Sequence, residues 1–144
     1  VICALDSLNY VTRPADVQKT FRRVQGALTP GGLFLFDINT PYKLEGLAGQ
    51  TFLDETEDTY CVWRTEFDPK KRLCYYGMDL FQRSGKVWER SFEEHIEYAY
   101  TAEELTDWLR EAGFTKIDVF GDRKCRAPRE DELRVYLAAR KEIT

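Results

Sequence analysis

The sequence predicts an α/β fold: a unit of parallel strands that carries an inserted three-stranded antiparallel meander. Three observations predict it. Two short apolar runs, residues 1–5 and 33–38, have the unbroken hydrophobicity of strands buried on both faces. Between them the apolar residues step at helical spacing. From residue 60 to residue 98 they alternate instead, with turn residues at the breaks.

Each element has a local reason. The first run gives way to Asp6-Ser7-Leu8-Asn9-Tyr10, a stretch rich in loop formers. Pro14 follows where a helix accepts proline, in its first turn. Val17, Phe21, Val24 and Leu28 then make an apolar stripe, with Lys19, Arg22, Arg23 and Gln25 on the other side. Thr29-Pro30-Gly31-Gly32 stops that helix and turns the chain into the second run. Strand, helix, tight turn and strand make a βαβ unit, whose strands run parallel through a right-handed crossover.

Residues 60–67, 73–83 and 87–98 follow with period two. Asp68-Pro69-Lys70-Lys71-Arg72 and Ser84-Gly85 join them, and the second suits a two-residue hairpin. Trp63, Phe67, Tyr76, Trp88, Phe92 and Tyr98 are expected on one aromatic face, as core or as the roof of a ligand pocket. Thr101-Ala102-Glu103-Glu104 is then a capping box. Leu105, Trp108, Leu109 and Ala112 form that helix's buried stripe, and Gly113 supplies its left-handed stop. Residues 114–120 and 133–140 read as strands around a polar loop. The chain thus divides into a βαβ part (1–49), an antiparallel insert (50–98) and a last helix with two strands (99–144).

Composition excludes several classes. With 144 residues, 43% of them hydrophobic, the chain has enough apolar surface for a packed core in one domain of ordinary size. No apolar run approaches the ~18–20 residues of a membrane span. The first residues carry no basic leader, so a cytoplasmic location is expected. The net charge is −4, and residues 50–98 carry it, with seven basic against eleven acidic side chains. That balance speaks against a nucleic-acid scaffold and suits an acidic rim that attracts a cation. Cys3, Cys61, Cys74 and Cys125 have no paired spacing and His95 is the only histidine, so reduced structural cysteines and no metal site are expected.

Three stretches, taken in order, resemble one family. Asp6-Ser7-Leu8-Asn9-Tyr10 is similar to the loop after the fourth strand in small bacterial class I S-adenosylmethionine-dependent methyltransferases. Leu28-Thr29-Pro30-Gly31-Gly32-Leu33-Phe34-Leu35-Phe36-Asp37 resembles their LxPGGxFxFD turn into the fifth strand. Tyr100-Thr101-Ala102-Glu103-Glu104-Leu105, with Glu111-Ala112-Gly113-Phe114, resembles their YTxEEL…EAGF helix before the sixth strand. Leu137-Ala138-Ala139-Arg140-Lys141 looks like the end of the seventh.

The resemblance covers nearly the whole chain. It implies a partial Rossmann-like methyltransferase sheet, the C-terminal half, with the meander inserted. It implies S-adenosylmethionine as cofactor, no metal, and in-line methyl transfer to N, O or C of a small-molecule acceptor. The family's glycine-rich cofactor turn and its ribose-binding carboxylate have no counterpart here. The chain is therefore expected to be a truncated part. Its first strand would leave an edge for a second copy, as a homodimer, or for the rest of a parent protein. Methylation of tRNA or protein, and a non-catalytic ligand-binding module on the same scaffold, are the competing expectations. Neither a membrane nor nucleic acid is an expected partner.

Ligands of open α/β sheets bind at the carboxyl ends of the strands. Polar residues gather beyond both parallel strands: Asp6, Ser7, Asn9 and Tyr10 after the first, and Asn39, Thr40 and Tyr42 after the second. The resemblance adds that the first loop passes the methionine end of the cofactor. This singles out Cys3, Ala4, Leu5, Ser7 and Leu8 as cofactor neighbours. Tyr10 and Asn39 are expected to orient an acceptor, and His95 to serve as base, because an imidazole exchanges a proton near neutral pH. Asn9, Tyr42 and Arg64 are expected on the acceptor side, Arg64 against an acidic group.

Overall fold

The structure, a computed structural model, describes residues 1–143. In chain order the elements are β1 (Ile2–Cys3), α1 (Pro14–Ala27), β2 (Leu33–Asn39), α2 (Pro41–Gly46), β3 (Thr51–Glu55) and β4 (Thr59–Asp68). They continue with β5 (Leu73–Ser84), β6 (Val87–Tyr98), α3 (Ala102–Glu111), β7 (Phe114–Gly121) and β8 (Arg134–Lys141). Two four-stranded sheets result. The first has the order β1-β2-β8-β7, and the second β3-β4-β5-β6. β1 and β2 are parallel, as the βαβ reading requires; all other pairings are antiparallel.

The main core lies between the first sheet and the helices α1 and α3. Val17 and Phe21 of α1 and Leu105 and Leu109 of α3 are buried against Phe34, Phe36, Ile38, Val135, Leu137 and Ala139. Phe21, Phe34 and Phe36 form one aromatic group with ring centroids 4.8–5.9 Å apart. Pro14 stands at the start of α1 as expected. Its C-terminal carbonyls find a partner that local spacing does not reveal: Lys141 Nζ donates to Gln25 O and Leu28 O at 2.9 and 2.8 Å. The capping box of α3 is complete, with Thr101 Oγ1 accepting from Glu104 N and the Glu104 carboxylate accepting from Thr101 N.

Three expectations are corrected. The apolar strands are not buried on both faces. Both helices lie on one face, so Leu33 and Leu35 of β2 stay about a third exposed, and Ile2 of β1 is 74% exposed. Among the described residues no strand pairs with the outer edge of β1. The insert has a fourth strand: β3 pairs with β4 in register Phe52↔Trp63, and its five exposed residues were too few and too polar to show a period. The aromatic face divides in two. Register puts Trp63, Phe67 and Tyr76 on one face and Trp88, Phe92 and Tyr98 on the other, because the hairpin turns at Gly85-Lys86, one residue later than expected, and pairs Tyr76 with His95 rather than with an aromatic residue. Phe92 lies over Gly77, where a Cβ would meet its ring at 3.4 Å.

Candidate functional site

The carboxyl end of β1 is turned by backbone strain. Leu5 and Asp6 both adopt left-handed conformations, φ 60° and 50°, which cost energy in residues with a Cβ. The buried Asp37 carboxylate, from the β2 strand, holds them there. Its Oδ1 accepts from Leu5 N at 2.8 Å and its Oδ2 from Asp6 N at 3.1 Å. Arg134 of β8 pairs with both Asp37 and Asp6 and closes the arrangement. Ser7 Oγ donates to Ala4 O at 2.7 Å. The result is a rigid loop that presents Ala4, Leu5 and Ser7 to solvent, Leu5 at 79% exposure.

Next to it a second network joins the two sheets. Asn9 is fully buried. Its side chain accepts from Asn39 N and donates to Asn39 O and Tyr98 O, all at 3.0 Å. Asn39 Nδ2 donates to Glu97 Oε2 at 2.8 Å, and Lys43 Nζ donates to Asn39 Oδ1 at 2.8 Å. Tyr76 lies on the same face of the sheet, close to Glu97. Burial pushes the Glu97 carboxyl above the usual carboxylate range, against the opposing effect of the Asn39 amide. Burial, and then the charge of Glu97, raise the Tyr76 and Tyr10 hydroxyls, so both remain protonated donors. Thr40 caps the short α2, accepting from Lys43 N at 3.2 Å, and so aims the lysine back at this cluster.

From the cluster a groove runs along the second sheet. The Tyr10 ring meets the His95 ring edge-on at 5.9 Å, and Trp63 lies 6.4 Å beyond His95. Phe52, Leu53, Asp54, Trp63, Thr65 and Tyr76 line a cavity of about 400 Å³. His95 Nε2 lies 3.4 Å from a Glu93 carboxylate oxygen.

The expected site residues thus fall in four places. Ala4, Leu5 and Ser7 face outward together at the β1 loop, with the partly buried Cys3 at its base. Leu8 does not: its side chain is 2% exposed and packs in the main core. Tyr10 and His95 are brought together at the mouth of the groove. Asn9 and Asn39 are buried struts, with both amide atoms of each occupied by protein partners. Arg64 is turned away, because its register with Gly77 sets it on the opposite face, where it pairs with Asp79. Tyr42 is exposed on α2 beside Leu133. Trp63 and Tyr76 are among the aromatic residues expected as core or as a pocket roof, whereas sequence reasoning missed Glu97 and Lys43. The alternation of β6 did put Glu97 on the His95 face, and that signal could have found it.

A parallel strand pair with a polar loop at its carboxyl end, beside an antiparallel insert, is also found in an S-adenosylmethionine-dependent methyltransferase. The chain matches the crystal structure of such an enzyme from Clostridium acetobutylicum ATCC 824 with a TM-score of 0.87 and 28% identity, over 98% of this chain and 57% of that one. CalS10 from Micromonospora echinaspora, described as an amino pentose methyltransferase with S-adenosylmethionine bound, matches with a TM-score of 0.75 over 98% of this chain and 57% of its own. At 15% identity that likeness is one of fold. Among curated proteins the chain is 31% identical over 145 residues to the Bacillus subtilis (strain 168) protein named "Putative methyltransferase YqeM". It is 32% identical over 139 residues to a similarly named protein of Geobacillus sp. (strain WCH70). All of this chain aligns with the first and 94% with the second, and it spans 58% and 56% of their lengths. No protein-family model matches. Along its whole length the chain is therefore similar to part of a class I S-adenosylmethionine-dependent methyltransferase.

Proposed function

We propose that the protein containing this chain transfers the methyl group of S-adenosylmethionine to a nitrogen, oxygen or carbon of a small molecule. The observation that carries the reading is the meeting of Tyr10, from the β1 loop, with His95, from the insert, at the mouth of an aromatic groove. It sets a candidate acceptor pocket beside the strand ends where α/β sheets bind ligands. The small-molecule neighbours of the same fold support it, as does the net charge of −4.

The cofactor supplies a methyl group on a positively charged sulfur, which leaves as a neutral thioether as the acceptor's lone pair forms the new bond. This chain offers one side of its pocket. The outward-facing Ala4, Leu5 and Ser7 fit that task, since the loop is rigid, partly apolar and not filled by other side chains. Cys3 sits at its base, and only the backbone of Leu8 is placed to take part. A glycine-rich turn after a strand is not among these 144 residues, which supports reading the chain as part of the enzyme. The outer edge of β1 then pairs with a further strand, from the parent protein or from a second copy.

The remaining residues align the acceptor and manage its proton. Tyr10, a protonated donor, holds an acceptor oxygen or nitrogen. His95 takes the acceptor's proton where the acceptor has one. Asn39, gripped by Asn9, Glu97 and Lys43, fixes the distance between the strand ends and the insert. Asn9 acts through Asn39, and Tyr42 lies at the rim. The test is a methyl-transfer assay of the intact protein against a panel of amines, alcohols and tRNA, with S-adenosylhomocysteine as readout. Turnover of a small molecule is expected. Turnover of tRNA alone, or no cofactor binding, overturns the proposal.

A further inference from the structure

The basic side chains on the strands of the second sheet all lie on one of its faces. The face that carries Trp63, Tyr76 and His95 also carries four carboxylates: Asp54, Glu89, Glu93 and Glu97. Among the described residues none of its strand positions is a lysine or an arginine. The opposite face mixes both signs: Arg64, Arg83 and Arg90 stand among Glu55, Glu66, Asp68, Asp79 and Glu94, and there Asp79 is neutralised by Arg64 and Arg90 together. Both faces are acidic, and the side whose strand positions carry no basic residue is the face of Trp63, Tyr76 and His95. That side is the one with the cavity.

The walls of the cavity add a second attraction. Phe52, Trp63 and Tyr76 present aromatic rings to it, and the ring faces carry partial negative charge. Asp54 lines the cavity directly. Glu93 borders it through His95, whose ring lies 6.4 Å from Trp63. A cation over an aromatic face is favoured, more so when carboxylates share a partly desolvated site. The ammonium of Lys43, in the adjoining cluster, is directed to Asn39 rather than to Asp54 or Glu93.

We infer that this groove recognises a protonated amine carried on a small, partly apolar molecule, and that the methyl acceptor belongs to the class of amines. The second half rests on the methyl-transfer reading; the binding claim rests on the groove alone. An anionic acceptor would meet Asp54 in the cavity wall, and the arginine suited to it, Arg64, faces the other way.

The test is a nuclear magnetic resonance titration of the intact protein without cofactor, following the Trp63 indole N–H, assigned with W63F. Benzylammonium, benzyl alcohol and benzoate serve as probes of one shape and three charges. Benzylammonium is expected to shift the Trp63 signal and to bind at least about tenfold more tightly than benzyl alcohol, with benzoate weakest. D54N and E93Q, both on exposed or groove-lining positions, are expected to remove most of that preference without changing benzyl alcohol binding. E94Q, on the opposite face, is expected to leave it intact. Equal binding of the alcohol, tighter binding of benzoate, or a preference that survives D54N with E93Q overturns the inference. If the groove selects benzylammonium but the assayed protein transfers no methyl group, the function proposal fails and the binding inference stands. If methyl transfer proceeds to alcohols without charge preference, the reverse holds.

Discussion

Glu97 Oε2 accepts a hydrogen bond from Asn39 Nδ2 at 2.8 Å, and this contact joins the end of β2 to the insert strand β6. Glu97 is only 3% exposed, and burial holds its carboxyl above the usual range. The folded protein therefore binds that proton more tightly than the unfolded chain. Its contribution to stability is full at low pH and is lost as pH rises through the folded value. Urea melts at several pH values are expected to show this decline in the wild type and not in E97Q. E97A is expected to cost about 1–3 kcal/mol, because it leaves the buried Asn39 amide without its partner.

Arg72 and Glu104 behave oppositely. Arg72 donates to both Glu104 oxygens at 2.7 Å, and the same carboxylate caps α3. The Arg72 guanidinium and the cap hold Glu104 down at about 2. The stability from this group is present above the unfolded carboxylate range and is lost as pH falls toward about 2. Both side chains are about a third exposed, so solvent screening reduces the effect to about 1–2 kcal/mol. Acid titration of thermal stability in E104Q is expected to lack this step.

The β1 loop depends on Asp37. D37A removes the acceptor of the Leu5 and Asp6 amides and leaves Arg134 with only Asp6. A loss of about 3 kcal/mol is expected in urea denaturation. Hydrogen exchange at the Leu5 and Asp6 amides is expected to accelerate more than exchange in β7.

Gly113 ends α3 at φ 96°, and a Cβ there would also approach the Gln25 side chain at 3.2 Å. G113A is expected to lower stability by about 1–2 kcal/mol, read by thermal melting, through backbone strain with a smaller steric part.

If His95 takes a proton from the acceptor, H95Q in the intact protein is expected to lower kcat by about 100-fold while the affinity for S-adenosylmethionine, measured by calorimetry, stays unchanged. A change confined to cofactor affinity would contradict the assigned role.

Much of the fold is legible along the chain. The α1 stripe, the Thr101–Glu104 cap, the Gly113 stop and the alternating strands β4 to β6 are all encoded in near neighbours. The site is less so. Tyr10 and His95 are 85 positions apart, and their contact follows from how the insert folds back on the β1 loop. Asn9 and Asn39 are the loop formers that their composition indicates, yet their amides turn inward. Buried backbone groups at the junction of the sheets need those partners.

By itself the sequence determined the elements other than α2 and β3, the parallel pair, the acidic insert and the family the chain resembles. Each is a matter of local periodicity or of a short motif. Tertiary structure alone decided which face each residue shows. Register across the turns at 69–72 and 85–86 set Arg64 opposite Gly77 on one face and Glu97 opposite Cys74 on the other. In a sheet a shift of one position exchanges the faces of every side chain.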